Sequence, residues 1–276
     1  MSIIKGLINM GNTCYLNAAF QMLVQNDDFC ELVHQQTHPE MLELSKFIRE
    51  YKDASNNNAL TPQIVKQMVD IANSMFRGND QHDSYEFLVY FIDYINSRSN
   101  NAFKALFECE IEQTIKCKIR ACLRTSITNE MYYCLSVPIK PHCTTLTDCY
   151  HEFKIHEKLE DDEMYFCENC NGKRVASRKI VVSRWPKHLI IHLKRFVNTQ
   201  RKIDSPIDVR LMWRHDYELQ GGVIHTGSHS GGHYTYVTKT NTSWSICDDR
   251  TISYISEERA LLYFKKAFIL YYRKLE

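Results

Sequence analysis

The hydrophobic period of this chain changes about a third of the way along it, and the change sets the fold class. Before Phe107, apolar residues recur at helical spacing; after it, they gather in short β-branched and aromatic runs. Leu16, Ala19, Phe20, Leu23 and Val24 mark an amphipathic helix that begins at or just after Cys14. Thr61-Pro62 reads as a helix start and Gly78 as its stop, with Ile64, Val65, Met68, Ile71, Ala72 and Met75 as the apolar face. Asp80 opens a further helix, Tyr85 to Ile95, and the run of three asparagines from Asn56 reads as a surface loop between helical regions. Strands are expected at Cys134–Ile139, Lys179–Ser183, Leu189–Phe196, His233–Thr238, Trp244–Cys247, Thr251–Ile255 and Ala267–Tyr272. A short helix, capped by Ser256 with Glu257 and Glu258 in its first turn, runs to Phe264. Helices first and strands later predict an α+β fold and not a doubly wound α/β sheet.

The 276 residues suffice for one large domain or two small ones. A formal net charge of +1 advertises no field for nucleic acid or a membrane surface. No apolar run approaches the ~20 residues that span a bilayer, and Met1 to Met10 contains no signal-peptide core. Eleven cysteines cannot all pair with one another. Without an export signal they read as metal ligands, a nucleophile and core fillers in a reducing, intracellular compartment, cytoplasmic or nuclear.

Three segments carry chemistry. Cys14 stands at a helix N-terminus, where unpaired N–H groups and the helix dipole favour the reactive thiolate; the alternative is a cysteine packed beneath its own helix. His233 follows a flexible glycine pair, Gly231-Gly232, into a strand, a place for a base; an ordinary strand-edge histidine is the alternative. Trp244 to Asp249 is a strand ending in two acids. A tight turn from Lys239 to Ser243 returns that end to the start of the His233 strand, so Asp248 can reach the imidazole, unless the acids merely cap the bend at Arg250.

In order along the chain, these residues resemble the ubiquitin-specific protease family. The cysteine box is Gly6-Leu7-Ile8-Asn9-Met10-Gly11-Asn12-Thr13-Cys14-Tyr15-Leu16-Asn17, continuing to Gln21. The histidine box is Val223-Ile224-His225-Thr226-Gly227, then Ser230-Gly231-Gly232-His233-Tyr234, then Trp244 and Asp248-Asp249. Gln81 to Phe87 and His188 to Phe196 are similar to two further signatures. The likeness runs from about Gly6 to Tyr272. It implies Cys14 as nucleophile, His233 as general base, Asp248 as its orienting acid and Asn9 as oxyanion donor, with Asp249 a second acid sharing the orienting role. Gln81, Asp83, Glu86 and Tyr234 would then line a narrow channel for a tail ending in Gly-Gly. The implied partner is ubiquitin or a ubiquitinated protein, and the implied state a monomer. A catalytically inactive ubiquitin-binding module, a protease for another ubiquitin-like modifier and a zinc-ribbon adaptor for nucleic acid are the rivals.

Cys167-Glu168-Asn169-Cys170, followed by Gly172, is a metal knuckle that needs a second pair, and Cys117 with Cys122 is the candidate. The resemblance supports a structural zinc on these four thiolates, although the first pair is spaced by four residues and Cys109 stands where the family has glycine, as a possible substitute ligand. Cys30, Cys134, Cys143, Cys149 and Cys247 read as core or surface thiols. The resemblance implies a papain-like α+β domain with a helical thumb at 1–103, zinc-ribbon fingers at 104–184 and the rest of a β-rich palm at 185–276.

Overall fold

Helix α1, Cys14–Val24, has no solvent face: every one of its residues is buried. The computed structural model describes residues 4–154, 156–197, 201–228, 231–240 and 243–275. Around α1 pack α2 (Asp27–His34), α3 (Pro39–Lys52), α4 (Gln63–Ala72) and α5 (Ser84–Ser97), with the single turn α6 (Lys104–Phe107) closing the thumb. The strands that follow are β1 (Cys109–Cys117), β2 (Thr125–Tyr132) and β3 (Leu135–Pro138), then helix α7 (Leu146–Phe153) and β4 (His156–Leu159). Next come β5 (Tyr165–Cys167), β6 (Gly172–Arg174), β7 (Ala176–Arg184), β8 (His188–Lys194), β9 (Phe196–Val197), β10 (Arg201–Lys202) and β11 (Met212–Trp213). The chain ends with β12 (Tyr217–Ser228), β13 (Gly231–Thr240), β14 (Ser243–Asp248), β15 (Thr251–Ile255), helix α8 (Glu257–Phe264) and β16 (Ala267–Lys274).

Two sheets divide the β-rich part. The palm sheet has the order β15-β14-β13-β12-β16-β8-β3, with β11 paired to β12; β3 runs parallel to β8, and its other pairs are antiparallel. The fingers sheet is antiparallel, in the order β2-β1-β7-β4. Alternation along the palm strands feeds two cores. Ile190, Val223, Tyr236, Ile269 and Tyr271 face the thumb helices. Leu189, Ile191, Val237, Leu270 and Tyr272 face a second cluster with Leu146, Cys149 and Phe264, from α7 and α8. With both faces covered, the central strands carry near-continuous apolar runs.

Several local expectations differ from what forms. The α1 helix has no exposed face, because α5 and the thumb-facing side of β13 both pack on it. Helix α4 stops at Ala72, before Gly78, and leaves Ile71 and Met75 exposed. Lys66 is buried there instead, its Nζ donating to Asp70 at 2.5 Å and to the Phe76 carbonyl at 2.8 Å. The cap of α5 is Asp83 and not Asp80. Gly231 and Gly232 are strand residues, paired with Ser228 and Gly227, rather than a flexible lead-in. The stretch 104–184 is not one unit: β3 and α7 inside it belong to the palm, where Leu135 and Val137 pack into the second core. Asn241 and Thr242, in the expected tight turn, and Ser230 of the histidine box lie outside the described residues.

Arg195, inside the His188–Phe196 signature, is 1% exposed and donates to four main-chain carbonyls: Ala267 at 2.7 Å, Ile203 at 3.0 Å, Ser205 at 2.9 Å and Lys265 at 2.9 Å. It ties the start of β16 to the 203–205 segment. Arg195→Met orphans those acceptors and is expected to cost about 3 kcal/mol or more. In a thermal melt that is a fall of several degrees; an unchanged midpoint would show the carbonyls satisfied by water.

Candidate functional site

The segment before α1 is a folded loop built around one side chain. Asn9 Oδ1 accepts from the main-chain N–H groups of Gly11 and Thr13, each at 3.0 Å. Gly11 has φ +100° and Asn12 φ +55°, so the chain turns sharply and delivers Cys14 as the first residue of the helix. The Asn12 amide anchors the loop to the Asn79 carbonyl at 2.8 Å. Cys14 is 3% exposed. Burial pushes its thiol above the ordinary range and the Asp249 carboxylate adds to this, while main-chain N–H groups, that of Tyr234 foremost, pull the other way. The helix N-terminus therefore does not by itself yield a resting thiolate.

Tyr234 immediately follows His233, so the sulfur lies beside the strand that carries the imidazole. His233 Nε2 donates to Asp248 Oδ1 at 2.6 Å, with both side chains about half exposed. The β13–β14 pairing makes this geometry: Tyr236 stands opposite Cys247, so the residue closing β14 falls next to the opening of β13. Asp249 lies close by, a carboxylate oxygen within 4.8 Å of the imidazole and of Asp248, but its hydrogen bonds go to the thumb. At φ +48° it turns its carboxylate back to the thumb, accepting from Asn17 Nδ2 at 2.7 Å and from Asn9 Nδ2 at 2.8 Å. Its carbonyl also accepts from the Leu7 N–H at 2.9 Å. The second acid thus holds the Asn9 loop while staying within 4.8 Å of the imidazole, and the Asn9 amide is engaged rather than free.

A cleft of about 270 Å³ opens over Cys14, lined by Gln81, Asp83, Tyr234, Gly231, Gly232 and His225 among others. Gln81 Oε1 accepts from the Gly232 N–H at 3.2 Å and bridges thumb to palm. Asp83 Oδ1 caps α5, taking the N–H groups of Tyr85 at 2.6 Å and Glu86 at 3.2 Å. Burial still raises its carboxyl to about 6, the two N–H groups offsetting only part of the desolvation. Glu86 is exposed and does not line the cleft. His225, in the histidine box, is 6% exposed, and its ring is wedged between Phe196 and Tyr234. Burial lowers it to about 4, so it is neutral near pH 7. A Cβ at position 232 would fall 2.3 Å from its Nε2, which explains the glycine there. Only its place in the histidine box signalled it in the sequence; Asn17 gave no signal beyond its place in the cysteine box.

At the far tip of the fingers, the Sγ atoms of Cys117, Cys122, Cys167 and Cys170 all lie within 4.8 Å of one another. Sulfurs around a tetrahedral ion at ~2.3 Å stand roughly 3.8 Å apart, so the donor set fits a metal. The Asn169 amide donates to Cys122 Sγ at 3.2 Å and, with the Arg124 main-chain N–H, draws that thiol down to about 6. The four-residue spacing is absorbed by a turn from Lys118 to Leu123, and Asn171 in the left-handed region closes the other knuckle. Cys109 is not part of the group: it is buried at the palm end of β1, donating to the Tyr132 carbonyl at 3.2 Å. The five remaining cysteines apart from Cys14 are buried.

A profile described as ubiquitin carboxyl-terminal hydrolase matches residues 5–272. Ubiquitin carboxyl-terminal hydrolase 4 of Vanderwaltozyma polyspora is 26% identical over 98% of this chain and 41% of its own length. Ubiquitin carboxyl-terminal hydrolase Usp2 of Drosophila melanogaster is 27% identical over 98% of the chain and 34% of its own. The chain thus spans well under half the length of these curated relatives. Among solved structures, the SAGA Ubp8/Sgf11/Sus1/Sgf73 DUB module bound to ubiquitin aldehyde superposes with TM-score 0.82 at 24% identity, covering 99% of this chain and 70% of that one. The same module bound to monoubiquitin gives 0.82 at 25%, covering 99% and 69%. The α+β architecture with thumb, palm and fingers is therefore that of the papain-like fold expected.

The raised carboxyl of Asp83 has a consequence for stability. Its folded value, about 6, lies above the unfolded one, so the folded state binds more protons between them and gains stability as pH falls through 6. At pH 7.5 the buried charge is a net cost, and Asp83→Asn, which keeps a capping oxygen, should raise unfolding free energy by about 1–2 kcal/mol. Urea unfolding should show that advantage shrinking toward pH 4; a variant less stable at pH 7.5 would contradict this.

Proposed function

Because the chain belongs to the ubiquitin carboxyl-terminal hydrolase family, we propose that it is a cysteine protease that cuts the peptide or isopeptide bond after the C-terminal Gly-Gly of ubiquitin. The observation that carries this is the Cys14 sulfur facing the Tyr234 N–H, one residue from a His233 whose Nε2 is fixed by Asp248 at 2.6 Å. With Nε2 donating to Asp248, His233 Nδ1 is the nitrogen left to take the Cys14 proton. The thiolate attacks the carbonyl of the terminal glycine, and the charge moves to its oxygen. Asn9 supplies an amide donor by turning from Asp249, a contribution worth ~3 kcal/mol of barrier for a single donor. The bond to the leaving lysine breaks as His233 returns the proton to its amine. Water, deprotonated by His233, then releases the acyl group. Gly231, Gly232, Tyr234, Gln81 and Asp83 wall a cleft that admits residues without side chains, and the raised Cys14 thiol keeps the resting enzyme unreactive until proton transfer.

The same proposal takes zinc as the ion of the Cys117, Cys122, Cys167 and Cys170 group. Four thiolates leave no open position for water, so the ion would be structural and brace the fingers. A monomer in an intracellular compartment, cytoplasmic or nuclear, completes the reading.

A ubiquitin probe carrying a C-terminal electrophile should modify Cys14, mapped by mass spectrometry. Cys14→Ala should lower turnover of a fluorogenic ubiquitin substrate by at least about 10³-fold with ubiquitin binding kept; turnover near wild type would end the assignment. One zinc per chain is expected by elemental analysis, and Cys170→Ser should lower both the zinc content and the melting temperature. A metal-free protein of equal stability would remove the zinc and leave the protease.

A further inference from the structure

The seam between thumb and palm opens at both ends. One opening is the cleft over Cys14. The other, at the opposite end of the palm strands, is a cavity of about 490 Å³ between the α1–α2 turn and the starts or ends of β8, β12, β13 and β16. Every side chain lining it carries a nitrogen or an oxygen, which sets it apart from the apolar core on either side. Its volume lies in the range of small-molecule sites, about 300–1,000 Å³.

The acids around it are already neutralised. Asp27 pairs with Lys52 at 3.2 Å, Asp28 with Lys187 at 2.7 Å and with His188 at 2.8 Å, and Glu218 with Lys239 at 2.6 Å. His188 is 1% exposed, and burial lowers it to about 4, so it adds no charge near pH 7. The charge in excess is a guanidinium: Arg273, exposed at the mouth, stands opposite Glu218 across β12 and β16 and acts on that carboxylate through space, but Glu218 is already paired with Lys239 and Arg273 makes no ion pair or side-chain hydrogen bond among the described residues. The polar atoms left over can donate. Asn26 is 4% exposed; its Oδ1 accepts from the Phe29 N–H and caps α2, while its Nδ2 has no partner. The Tyr236 hydroxyl, fully buried beside Thr238, also lacks a hydrogen bond of good geometry. Buried donors without acceptors cost free energy that an acceptor-rich guest recovers.

We infer that this cavity binds a small oxyanion-bearing polar molecule, with its anionic group on Arg273 and its body reaching toward Asn26 and Tyr236, so that the guest staples the thumb to the palm. A carboxylate or phosphate matches the guanidinium in charge and geometry. The unpaired groups come from both sides of the seam, Arg273 on β16 and Tyr236 on β13 of the palm and Asn26 in the α1–α2 turn of the thumb. A ligand that touches both stabilises their association by mass action.

The test is thermal unfolding during titration with sodium phosphate and with adenosine monophosphate, each against sodium chloride at equal ionic strength. A saturable rise of the midpoint is expected with at least one of them. Phosphate alone acting identifies a free oxyanion, and a tighter nucleotide response identifies a larger guest. Arg273→Gln, at an exposed position away from Cys14, should keep the chloride baseline and weaken binding about tenfold or more. Arg273→Lys should restore part of it. Asn26→Ser, which preserves the helix cap, should weaken binding by less. No saturable shift with either probe, or an equal shift in Arg273→Gln, overturns the inference.

Discussion

The burial of α1 on every side is the constraint from which the site follows. A helix whose residues from Cys14 to Val24 are all shielded cannot lie on the thumb's surface. It must stand between the other thumb helices and the palm sheet, and the strand it meets most closely is β13, flanked by β12 and β14. Its buried polar residues show how this is paid for: Gln21 donates to the Lys5 carbonyl at 2.8 Å and Asn17 to Asp249 at 2.7 Å. The first residue of the helix and the fourth residue of β13, Tyr234, are thereby brought together from opposite ends of the chain, and the hydrophobic effect that drives the wedge home also desolvates the sulfur.

That coupling explains the electrostatics. The thiol is raised because it is buried, and it is buried because the helix is. Asp249 raises it further while clamping the Asn9 loop against the helix. Two adjacent acids thus act in different directions: Asp248 turns to the palm and fixes an imidazole, whereas Asp249, in a left-handed conformation, turns to the thumb and fixes the loop that precedes the cysteine. The resting arrangement holds the thiol in its protonated form.

Much of this was legible in the sequence because it depends on local signals. The Thr251–Ile255 strand and the Ser256-capped helix came out with their observed bounds, since β-branched runs and caps act over a few residues. The closeness of Asp248 to His233 followed from the hairpin, where turn length fixes which ends meet. What was not legible is set by distant partners. Whether α1 is amphipathic or enclosed depends on β13, more than 200 residues later. The β3–α7 excursion into the palm was hidden inside a stretch that otherwise forms the fingers, because parallel pairing with β8 leaves no mark on β3 itself. Ile71 and Met75 fitted an apolar stripe and are nevertheless exposed, while Lys66 is inside: a periodicity names a face but not what lies against it.

The division of labour between Asp248 and Asp249 shows where such reading reaches its limit. Both acids lie in one short turn, and sequence spacing allows either to serve His233. Backbone conformation separates them. Asp248 closes β14 with its carboxylate on His233 Nε2, while the next residue, Asp249, at positive φ hydrogen-bonds Asn9 and Asn17. A residue other than Gly, Asn or Asp would pay about 1 kcal/mol or more to hold that conformation. An acid at this position therefore serves twice, by tolerating the turn and by spanning from palm to thumb. Nothing in the identity of the pair announces this; it appears only once α1 is seated and Asn17 stands within reach.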